Sequence, residues 1–285
     1  MHRLRTFIAL NFSPAMVYRV YVACLLLFLL GACASSRVSS GLKKGERYYV
    51  ILMGGQSNMV GVGKRNELET PKLPAKIHYI NHGMAPNLQQ DSTSFGPEVG
   101  LSQVLHQRFP DTNFLLIKYA IGGASLLDWA PDYDSTQATI TGHAYFGHMY
   151  DSLWKQVEQV TTGYNTETIA LLWMQGERDA RVPEAGVHYY PRFKSFIETI
   201  RQDVGVLTLP VIFGLVNPDP GRYAAVDTVQ AAQRNIARDV DHVWMIDTSD
   251  LSKWDDQVHY NTQGQIELGR RFGKVLLEHW TKPSS

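Results

Sequence analysis

The segment YVILMGGQSNMVG, residues 49–61, is the stretch from which the fold can be predicted. Its first five residues are apolar without alternation, a pattern typical of a strand that is buried on both faces of a sheet. Two glycines follow, and Ser57 then stands between a glutamine and an asparagine. A serine that follows a buried strand has two interpretations, since its hydroxyl either caps the next helix or acts as a nucleophile.

Four more apolar, β-rich runs recur along the chain, and helical patterns lie between them. The runs are NFLLIKYA (113–120), TIALLWMQ (168–175), PVIFGLV (210–216) and HVWMID (242–247). The helical patterns lie around 99–109, 146–161, 188–204, 226–239 and 262–279. Strands that alternate with helices predict an α/β fold, a three-layer α/β/α sandwich around a parallel sheet. The two long intervals, 62–98 and 121–145, are expected to shape a binding site.

The composition limits the classes of partner. The chain has 285 residues, of which 27 are basic and 27 acidic, so its formal net charge is zero. Without a basic run, nucleic acid is not expected as a partner. The length is sufficient for one domain with a sizeable core, which we predict to span residues 47–285.

The N-terminal residues have the pattern of an export signal. Basic residues precede the apolar stretch VYVACLLLFLLGAC, which is too short to span a bilayer comfortably. The small residues before Cys33 resemble a bacterial lipobox, and the alternative is an ordinary signal peptide with an incidental cysteine. We therefore predict a lipoprotein signal peptide at 1–32, lipidation of Cys33 and a flexible tether at 33–46. The protein would be exported to the periplasm or cell surface, and would contact a membrane only through this lipid anchor.

Four polar clusters follow predicted strands. They are Ser57, IGGAS (121–125), QGERDA (175–180) and DDQVH (255–259). The carboxyl ends of parallel strands meet at one edge of a sheet, where open α/β folds bind their ligands. The sequence therefore predicts that these clusters share one site.

A nucleophilic serine needs a base and a group that orients the base. His259 and Asp256 are the candidates, because Asp-x-x-His in a turn can bring the carboxylate to Nδ1 and leave Nε2 facing Ser57. Asp255 is the alternative orienting residue. In the competing interpretation Asp256 caps the last helix and His259 is a surface residue.

Acyl transfer also needs donors for the developing oxyanion. The backbone N–H groups of Gly122 and Gly123, the side-chain amide of Gln175 and the backbone N–H of Ser57 are the candidates. Taken singly, the two glycines are equally consistent with a tight turn, and Gln175 with a hydrogen bond inside a loop.

Several other chemistries lack their sequence signatures. Met59 occupies the place of the second glycine in G-x-S-x-G, and no G-x-G-x-x-G opens a helix. The cysteines, Cys24 and Cys33, both lie in the export signal, and no H-E-x-x-H or Cys/His cluster occurs. His143 and His148 are interpreted as loop or packing residues. No metal and no cofactor is expected.

Five motifs together resemble a known family. GQSNMVG around Ser57, GPEVG (96–100), AIGGASLLDW (120–129), WMQGERDA (173–180) and DDQVHYN (255–261) are similar to those of SGNH (GDSL-like) hydrolases. Within that group they resemble the carbohydrate-esterase branch with sialate O-acetylesterases and family-six acetylxylan esterases. The resemblance implies a flavodoxin-like sandwich, with Ser57 as nucleophile, His259 as base and Asp256 as orienting group.

The same resemblance assigns the oxyanion hole. Gly123 matches the oxyanion glycine of the family's second block, and Gly122 is the weaker candidate. Gln175 stands where the wider superfamily has an asparagine. Glu177 and Asp179 belong to the third block and are expected to order a loop through backbone N–H groups.

Substrate contacts are less defined by the sequence. Arg178 and Arg222 are candidates for binding a substrate carboxylate such as that of a sialic acid, or else pair with acids on the surface. Trp129 and Trp254 are candidates for a sugar-stacking rim, with buried packing as the alternative. Gln233 is interpreted as structural.

The predicted activity is that of a serine esterase that hydrolyses O-acetyl esters on carbohydrates, such as acetylated polysaccharide or sialic acid. The specificity for acetyl groups is implied by the resemblance, since no residue pattern shows the size of the acyl pocket. Two alternatives remain at this point: a lipid esterase of lysophospholipase type within the same superfamily, and a non-catalytic glycan-binding module at the cell surface.

Overall fold

The computed structural model describes residues 42–70, 72–81, 93–142 and 144–283. The predicted signal peptide, Cys33, tether residues 33–41 and His143 lie outside the described residues, and the predictions about them stay predictions. At the end of the predicted tether, the Lys43 N–H donates to the Tyr48 hydroxyl at 2.8 Å.

Eight strands lie in the described residues. In chain order they are β1 (Arg47–Gly55), β2 (Gly63–Lys64), β3 (Ile77–Asn81), β4 (Ser94–Phe95), β5 (Phe114–Ala120), β6 (Asn165–Met174), β7 (Val211–Gly214) and β8 (Val243–Ile246). Six of them form one sheet in the order β3-β5-β1-β6-β7-β8, with every neighbouring pair parallel. The predicted α/β fold with a parallel central sheet is confirmed.

The five predicted strands correspond to β1, β5, β6, β7 and β8, whereas β3 and the antiparallel pair β2–β4 were missed. All three missed strands lie in the interval 62–98, in which the sequence analysis predicted no strand. The reason is visible in β3, an edge strand of sequence IHYIN in which Ile77 and Ile80 are buried and the other three residues are only partly buried. A strand that is covered so incompletely lacks the continuous apolar run that identified the others.

Nine helices of α type lie in the described residues. They are α1 (Ser57–Val60), α2 (Glu98–Arg108), α3 (Ser135–Ala138), α4 (Met149–Thr161), α5 (Glu177–Ala180), α6 (Pro183–Val187), α7 (Tyr189–Val204), α8 (Val226–Asp239) and α9 (Thr262–His279). The five long ones were predicted, and the other four have too few residues to show a helical period. None of the described helices combines the length and apolar character needed to cross a membrane.

Helices cover both faces of the sheet. In β1 every residue after Arg47 is buried, which requires packing from above and below. Helices α2 and α9 pack against each other, and α7 packs against α8 and, through Phe196 and Tyr150, against α4. The two groups leave the carboxyl ends of the strands open to the loops that carry the polar clusters.

The contact between α2 and α9 is so close that it requires glycine on both helices. A Cβ on Gly269 would lie 1.9 Å from the Pro97 carbonyl oxygen, and a Cβ on Gly100 would lie 1.9 Å from the Ile266 carbonyl oxygen. Both obstacles are backbone atoms, which cannot rotate away as a side chain can. The two helices therefore approach at a distance that no residue with a side chain permits.

We predict that G269A destabilises the protein, although alanine is the better helix former. The overlap with Pro97 forces α2 and α9 apart and should lower the free energy of unfolding by about 2–3 kcal/mol. Urea unfolding of the variant measures this loss. K274A, on the exposed side of the same helix, is the matched control and should change stability by no more than about 0.5 kcal/mol. A G269A protein that is more stable than the wild type, as helix propensity alone predicts, would contradict the close contact.

Candidate active site

Ser57 lies at the point where β1 turns into α1. Gly55 ends the strand with φ +146°, and a Cβ there would lie 2.0 Å from the Met174 carbonyl oxygen on the neighbouring strand. The Gln56 N–H donates to that same oxygen at 2.9 Å. The chain then turns sharply, so that Ser57 becomes the first residue of α1 and remains partly exposed.

The structure brings Ser57, His259 and Asp256 into direct contact. The Ser57 Oγ lies 2.9 Å from His259 Nε2, and His259 Nδ1 lies 2.6 Å from Asp256 Oδ2. In the arrangement that satisfies both contacts, Nδ1–H donates to the carboxylate and the serine hydroxyl donates to Nε2. Asp256 rather than Asp255 is the residue that contacts the imidazole, as the three-residue spacing predicted.

A tight turn fixes the carboxylate before the imidazole binds it. Asp256 Oδ1 accepts hydrogen bonds from the backbone N–H groups of Val258 and His259, each at 2.9 Å. Partial burial alone would raise the pKa of Asp256, but these backbone donors and the His259 ring outweigh it and hold the pKa below its usual value. Asp256 is therefore ionised at neutral pH and serves the imidazole as a fixed anion.

Ser57 and His259 open into a cavity of about 370 Å³. Its wall is formed by residues from all four predicted clusters and by three others, Gln56, Arg181 and Tyr223. The lining residues are Gln56, Ser57, Gly122, Gly123, Glu177, Arg178, Arg181, Tyr223, Val258 and His259. The convergence of distant clusters at one edge of the sheet, which the sequence predicted, is what the structure shows.

Asn58 and Gln56 are structurally important residues to which sequence reasoning gave no role. Asn58 is fully buried, and its Nδ2 donates to Glu177 Oε1 at 2.7 Å and to the Val258 carbonyl at 3.1 Å. Gln56 Oε1 accepts from the Arg178 N–H at 3.1 Å. Their positions beside Ser57 in GQSN were the only available signal, because the partners are more than a hundred residues away.

The prediction for Gln175 is not supported by its geometry. Its side chain is fully buried, and Nε2 donates to the Ala124 carbonyl at 3.1 Å and to Asp179 Oδ2 at 2.5 Å. The amide hydrogens therefore point into the protein rather than into the cavity, whose wall does not include Gln175. In this structure Gln175 supports the neighbouring loop and does not face an oxyanion.

The two acids of the third block have different partners. Asp179 accepts the Leu126 N–H at 3.1 Å, as the loop-ordering role predicted. Glu177 instead receives the Asn58 amide and is buried to 2% exposure against the cavity. Burial raises the pKa of both carboxyls, that of Asp179 to about 7.

Gly122 and Gly123 both line the cavity beside Ser57. A Cβ on Gly122 would lie 3.7 Å from the Ser57 Cβ, so this backbone passes next to the nucleophile. Gly123 adopts φ +79°, a left-handed conformation that glycine adopts without strain. Both positions are compatible with the predicted donors, and the assignment of the donor stays a prediction.

The prediction of a tryptophan rim is wrong for Trp129. Its side chain is fully buried, its Nε1 donates to the Gly55 carbonyl at 3.3 Å, and its ring packs on Trp173 at 5.0 Å between centroids. Trp254 is half-buried, with Nε1 bound to the Val62 carbonyl at 3.2 Å and Lys64 Nζ 4.3 Å from its ring centroid. Neither ring lines the cavity, because local packing holds each in place.

The arginines at the cavity also differ from those that the sequence predicted. Arg178 lines the cavity, but its guanidinium donates to the Thr141 carbonyl, with Nε at 2.7 Å. Arg222 is exposed outside the cavity wall and donates to the Asp256 carbonyl at 3.2 Å. Arg181, which was not singled out, lines the cavity with its guanidinium 4.7 Å above the Tyr223 ring centroid. No local motif marks Arg181, since only the packing on Tyr223 turns it toward the site.

Other predictions concern residues around the site. Gln233 is fully buried, accepts the Val216 N–H at 2.9 Å and donates to the Gln175 carbonyl at 3.2 Å, which confirms its structural interpretation. His148 is exposed and lies 3.5 Å from Asp151. Within the described part of the chain, no group of three His, Cys, Asp or Glu side chains is arranged to hold a metal ion.

Comparison with known proteins identifies the family. The family described as carbohydrate esterase, sialic acid-specific acetylesterase, matches residues 47–278, which is most of the chain. The chain belongs to this carbohydrate esterase family. The SGNH-type resemblance drawn from the five sequence motifs is thereby confirmed, and the family supports carbohydrate esterase activity at the level of reaction class.

The chain also resembles individual proteins. A protein of Arabidopsis thaliana described as a probable carbohydrate esterase is 22% identical over 187 residues, which are 65% of this chain and 64% of that protein. Its crystal structure has a TM-score of 0.66 at 20% identity and covers 82% of this chain and 99% of the solved chain. The crystal structure of NanS has a TM-score of 0.62 at 13% identity and covers 84% of this chain and 99% of the NanS chain. These structures show the shared fold.

The buried carboxyl of Asp179 gives the stability of the protein a testable pH dependence. A carboxyl that titrates near pH 7 in the folded protein and near pH 4 in the unfolded chain binds more protons when folded. The folded state therefore loses stability as the pH rises through that window. We expect D179N, relative to the wild type, to gain about 2–4 kcal/mol of unfolding free energy between pH 5 and pH 8.

Urea unfolding of both proteins at the two pH values measures this difference. D227N, which changes an exposed carboxyl on α8, is the control and should follow the wild type at both pH values. If the stability difference between D179N and the wild type were the same at pH 5 and pH 8, the raised pKa of Asp179 would be disproved.

Proposed function

We propose that the protein hydrolyses O-acetyl esters on carbohydrates with Ser57 as nucleophile. The observation that carries the proposal is the chain of two short contacts from Ser57 Oγ through the His259 imidazole to Asp256, at the edge of an open cavity. A serine hydroxyl attacks an ester only when a positioned base removes its proton, and this arrangement supplies such a base.

In the first half of the reaction the substrate ester enters with its carbonyl carbon against Ser57 Oγ. His259 Nε2 accepts the serine proton as the oxygen attacks, and the positive charge that develops on the imidazole is stabilised by Asp256. The backbone N–H of Ser57, as the first residue of α1, has no acceptor inside its helix and can bind the oxyanion. The Gly123 N–H is the second proposed donor, with Gly122 as the alternative.

Collapse of the tetrahedral intermediate transfers the proton from His259 to the departing sugar oxygen and leaves Ser57 acetylated. A water molecule then takes the place of the sugar. His259 removes a proton from this water as it attacks the acetyl carbonyl, and returns it to Ser57 as acetate leaves. The ionised state of Asp256 supports both steps, because each passes through a protonated imidazole.

The cavity wall favours a sugar over a lipid as the alcohol or acyl group. Seven of its ten residues have polar or charged side chains: Gln56, Ser57, Glu177, Arg178, Arg181, Tyr223 and His259. A long acyl chain would have to cover these groups without binding their remaining donors and acceptors, at a cost in binding free energy. Sugar hydroxyls can form hydrogen bonds with them.

The first test of the proposed function concerns Ser57 and the length of the acyl chain. Hydrolysis of 4-nitrophenyl acetate and acetate release from an acetylated oligosaccharide should both fall by about 10³-fold or more in S57A, because the covalent step is lost. The wild type should prefer the acetyl over the octanoyl nitrophenyl ester. S195A, which removes an exposed hydroxyl on α7, is the matched control and should keep full activity.

Three outcomes would contradict the proposal. A wild-type preference for the octanoyl ester would indicate a lipid esterase. Unchanged activity in S57A would remove Ser57 from the reaction. Sugar binding without hydrolysis in the wild type would indicate a glycan-binding module.

We further propose that the sugar carries a carboxylate, as a sialic acid does. In the described part of the chain neither Arg178 nor Arg181 forms an ion pair with a carboxylate, although both line the cavity. Arg181 is pre-organised, since its guanidinium stacks on Tyr223 and its Nη2 donates to the Tyr223 hydroxyl at 3.2 Å. A planar guanidinium held in this way suits a carboxylate, which it can bind through two parallel hydrogen bonds.

The second test measures the contribution of the substrate carboxylate to binding. The substrates are an O-acetylated acidic sugar and its methyl ester, which differ only in that charge. R181Q should lower kcat/KM for the acid by about tenfold, mainly through KM, and leave the methyl ester unchanged. R234Q, which removes an exposed arginine on α8, is the control. Equal effects of R181Q on acid and methyl ester would show that Arg181 does not bind the carboxylate.

A further inference from the structure

Lys118 is a lysine in the middle of an otherwise apolar strand. It belongs to β5 and is 0% exposed, so its ammonium group is removed from water. Burial of an unpaired charge costs several kcal/mol, and a lysine here must therefore find partners inside the protein. Its Nζ lies 2.9 Å from Glu98 Oε2, donates to the Val60 carbonyl at 2.7 Å and lies 5.3 Å from the centroid of the Tyr79 ring.

Glu98 comes from the GPEVG motif, which the proposed mechanism does not use. It lies in the first turn of α2 and its side chain is 1% exposed. Its second oxygen, Oε1, accepts the Gly96 N–H at 2.9 Å. The same segment presses against the end of α1, because a Cβ on Gly61 would lie 2.1 Å from the Gly96 Cα. The ion pair between Lys118 and Glu98 is therefore in contact with the segment at the carboxyl end of α1.

Val60 is the last residue of the one-turn helix that begins with Ser57. The carbonyls at the end of a helix lack partners inside it, and a cation placed there is favourable. Lys118 supplies that cation. The helix is only four residues long, so a shift of Val60 moves Ser57 as well.

Stability alone does not account for such a pair. Buried ion pairs are often no more stabilising than apolar side chains of similar volume, because desolvation offsets the attraction between the charges. An apolar pair would fill the same space between β5 and α2, but it would leave the Val60 carbonyl without a donor. The distinctive feature of Lys118 is therefore its contact with the nucleophile helix.

We propose that Lys118 is a positioning residue for Ser57: its ammonium holds the carboxyl end of α1, and Glu98 holds the ammonium in place. Neither side chain lines the cavity, so both act through the backbone of α1. The inference rests on the proposed role of Ser57. Displacement of a reacting group by about 1 Å lowers turnover by up to about 100-fold, so the effect is expected in kcat.

The test compares K118M/E98Q, which removes both charges together and so leaves no unpaired ion, with E98Q, which keeps the ammonium. We expect the double variant to lower kcat for acetyl ester hydrolysis by about 10- to 100-fold, with KM within about twofold. Phosphonylation of Ser57 by a fluorophosphonate should slow in parallel, since it depends on the same serine position. E98Q should lower kcat by about threefold or more, because the ammonium loses the carboxylate that holds it, and it provides the measurement if the double variant does not fold. Because E98Q leaves a buried ammonium without a counter-ion and so also loses stability, its kcat is measured well below its Tm.

R201M is the matched control for loss of a buried cation. Arg201 is 7% exposed and donates to carbonyls at the opposite edge of the sheet, including those of Leu209 and His242. This variant should lose thermal stability and keep kcat within about twofold. If a folded E98Q or K118M/E98Q kept the wild-type kcat, or lost no more than R201M at an equal loss of Tm, the positioning role would be overturned. Absence of activity in the wild type would instead refute the proposed function.

Discussion

The hydrogen bonds of one buried amide, that of Asn58, join the separate parts of the site. Its Nδ2 donates to Glu177 and to the Val258 carbonyl, and its Oδ1 accepts the Tyr260 N–H at 3.0 Å. The partners lie 119 to 202 residues away along the chain. Ser57 precedes this residue, and His259 lies between two of its partners. The contact between Ser57 and His259 therefore follows from a backbone arrangement that the Asn58 amide fixes, rather than from the two side chains alone.

This arrangement in turn depends on the parallel sheet, and the sequence was most informative there. Strands β1, β5 and β6 are buried on both faces and are marked by continuous apolar runs, so their order of appearance and their common direction could be predicted. Because parallel strands run in one direction, their carboxyl ends lie at the same edge of the sheet. The prediction that the four polar clusters share this edge was therefore correct. The edge strand β3 escaped prediction because one side of it is incompletely covered, and periodicity reports burial rather than pairing.

Within the site, the sequence located residues better than it oriented side chains. The pairing of Asp256 with His259 follows from a short local turn and was predictable from spacing. Gln175 and Trp129 were placed in the correct loops, but both point into the protein, Gln175 because Asp179 binds its amide. A side chain that follows a strand takes its direction from contacts that are distant in sequence. Arg181 was missed for the same reason, since its orientation depends on Tyr223.

The site therefore divides into a buried part and an exposed part that respond differently to the solvent. Lys118, Glu177 and Asp179 are ionisable groups withdrawn from water, and they hold loops and helix ends through short hydrogen bonds. Dissolved salt screens such contacts little, because the ions do not reach them. The guanidinium of Arg181 is exposed at the cavity wall, where screening is effective. Ionic strength should thus act on the proposed capture of an anionic substrate more than on the buried contacts of Lys118, Glu177 and Asp179. The same division explains why the buried residues have many partners within the protein, whereas the Arg181 guanidinium has, among the described residues, only the Tyr223 side chain.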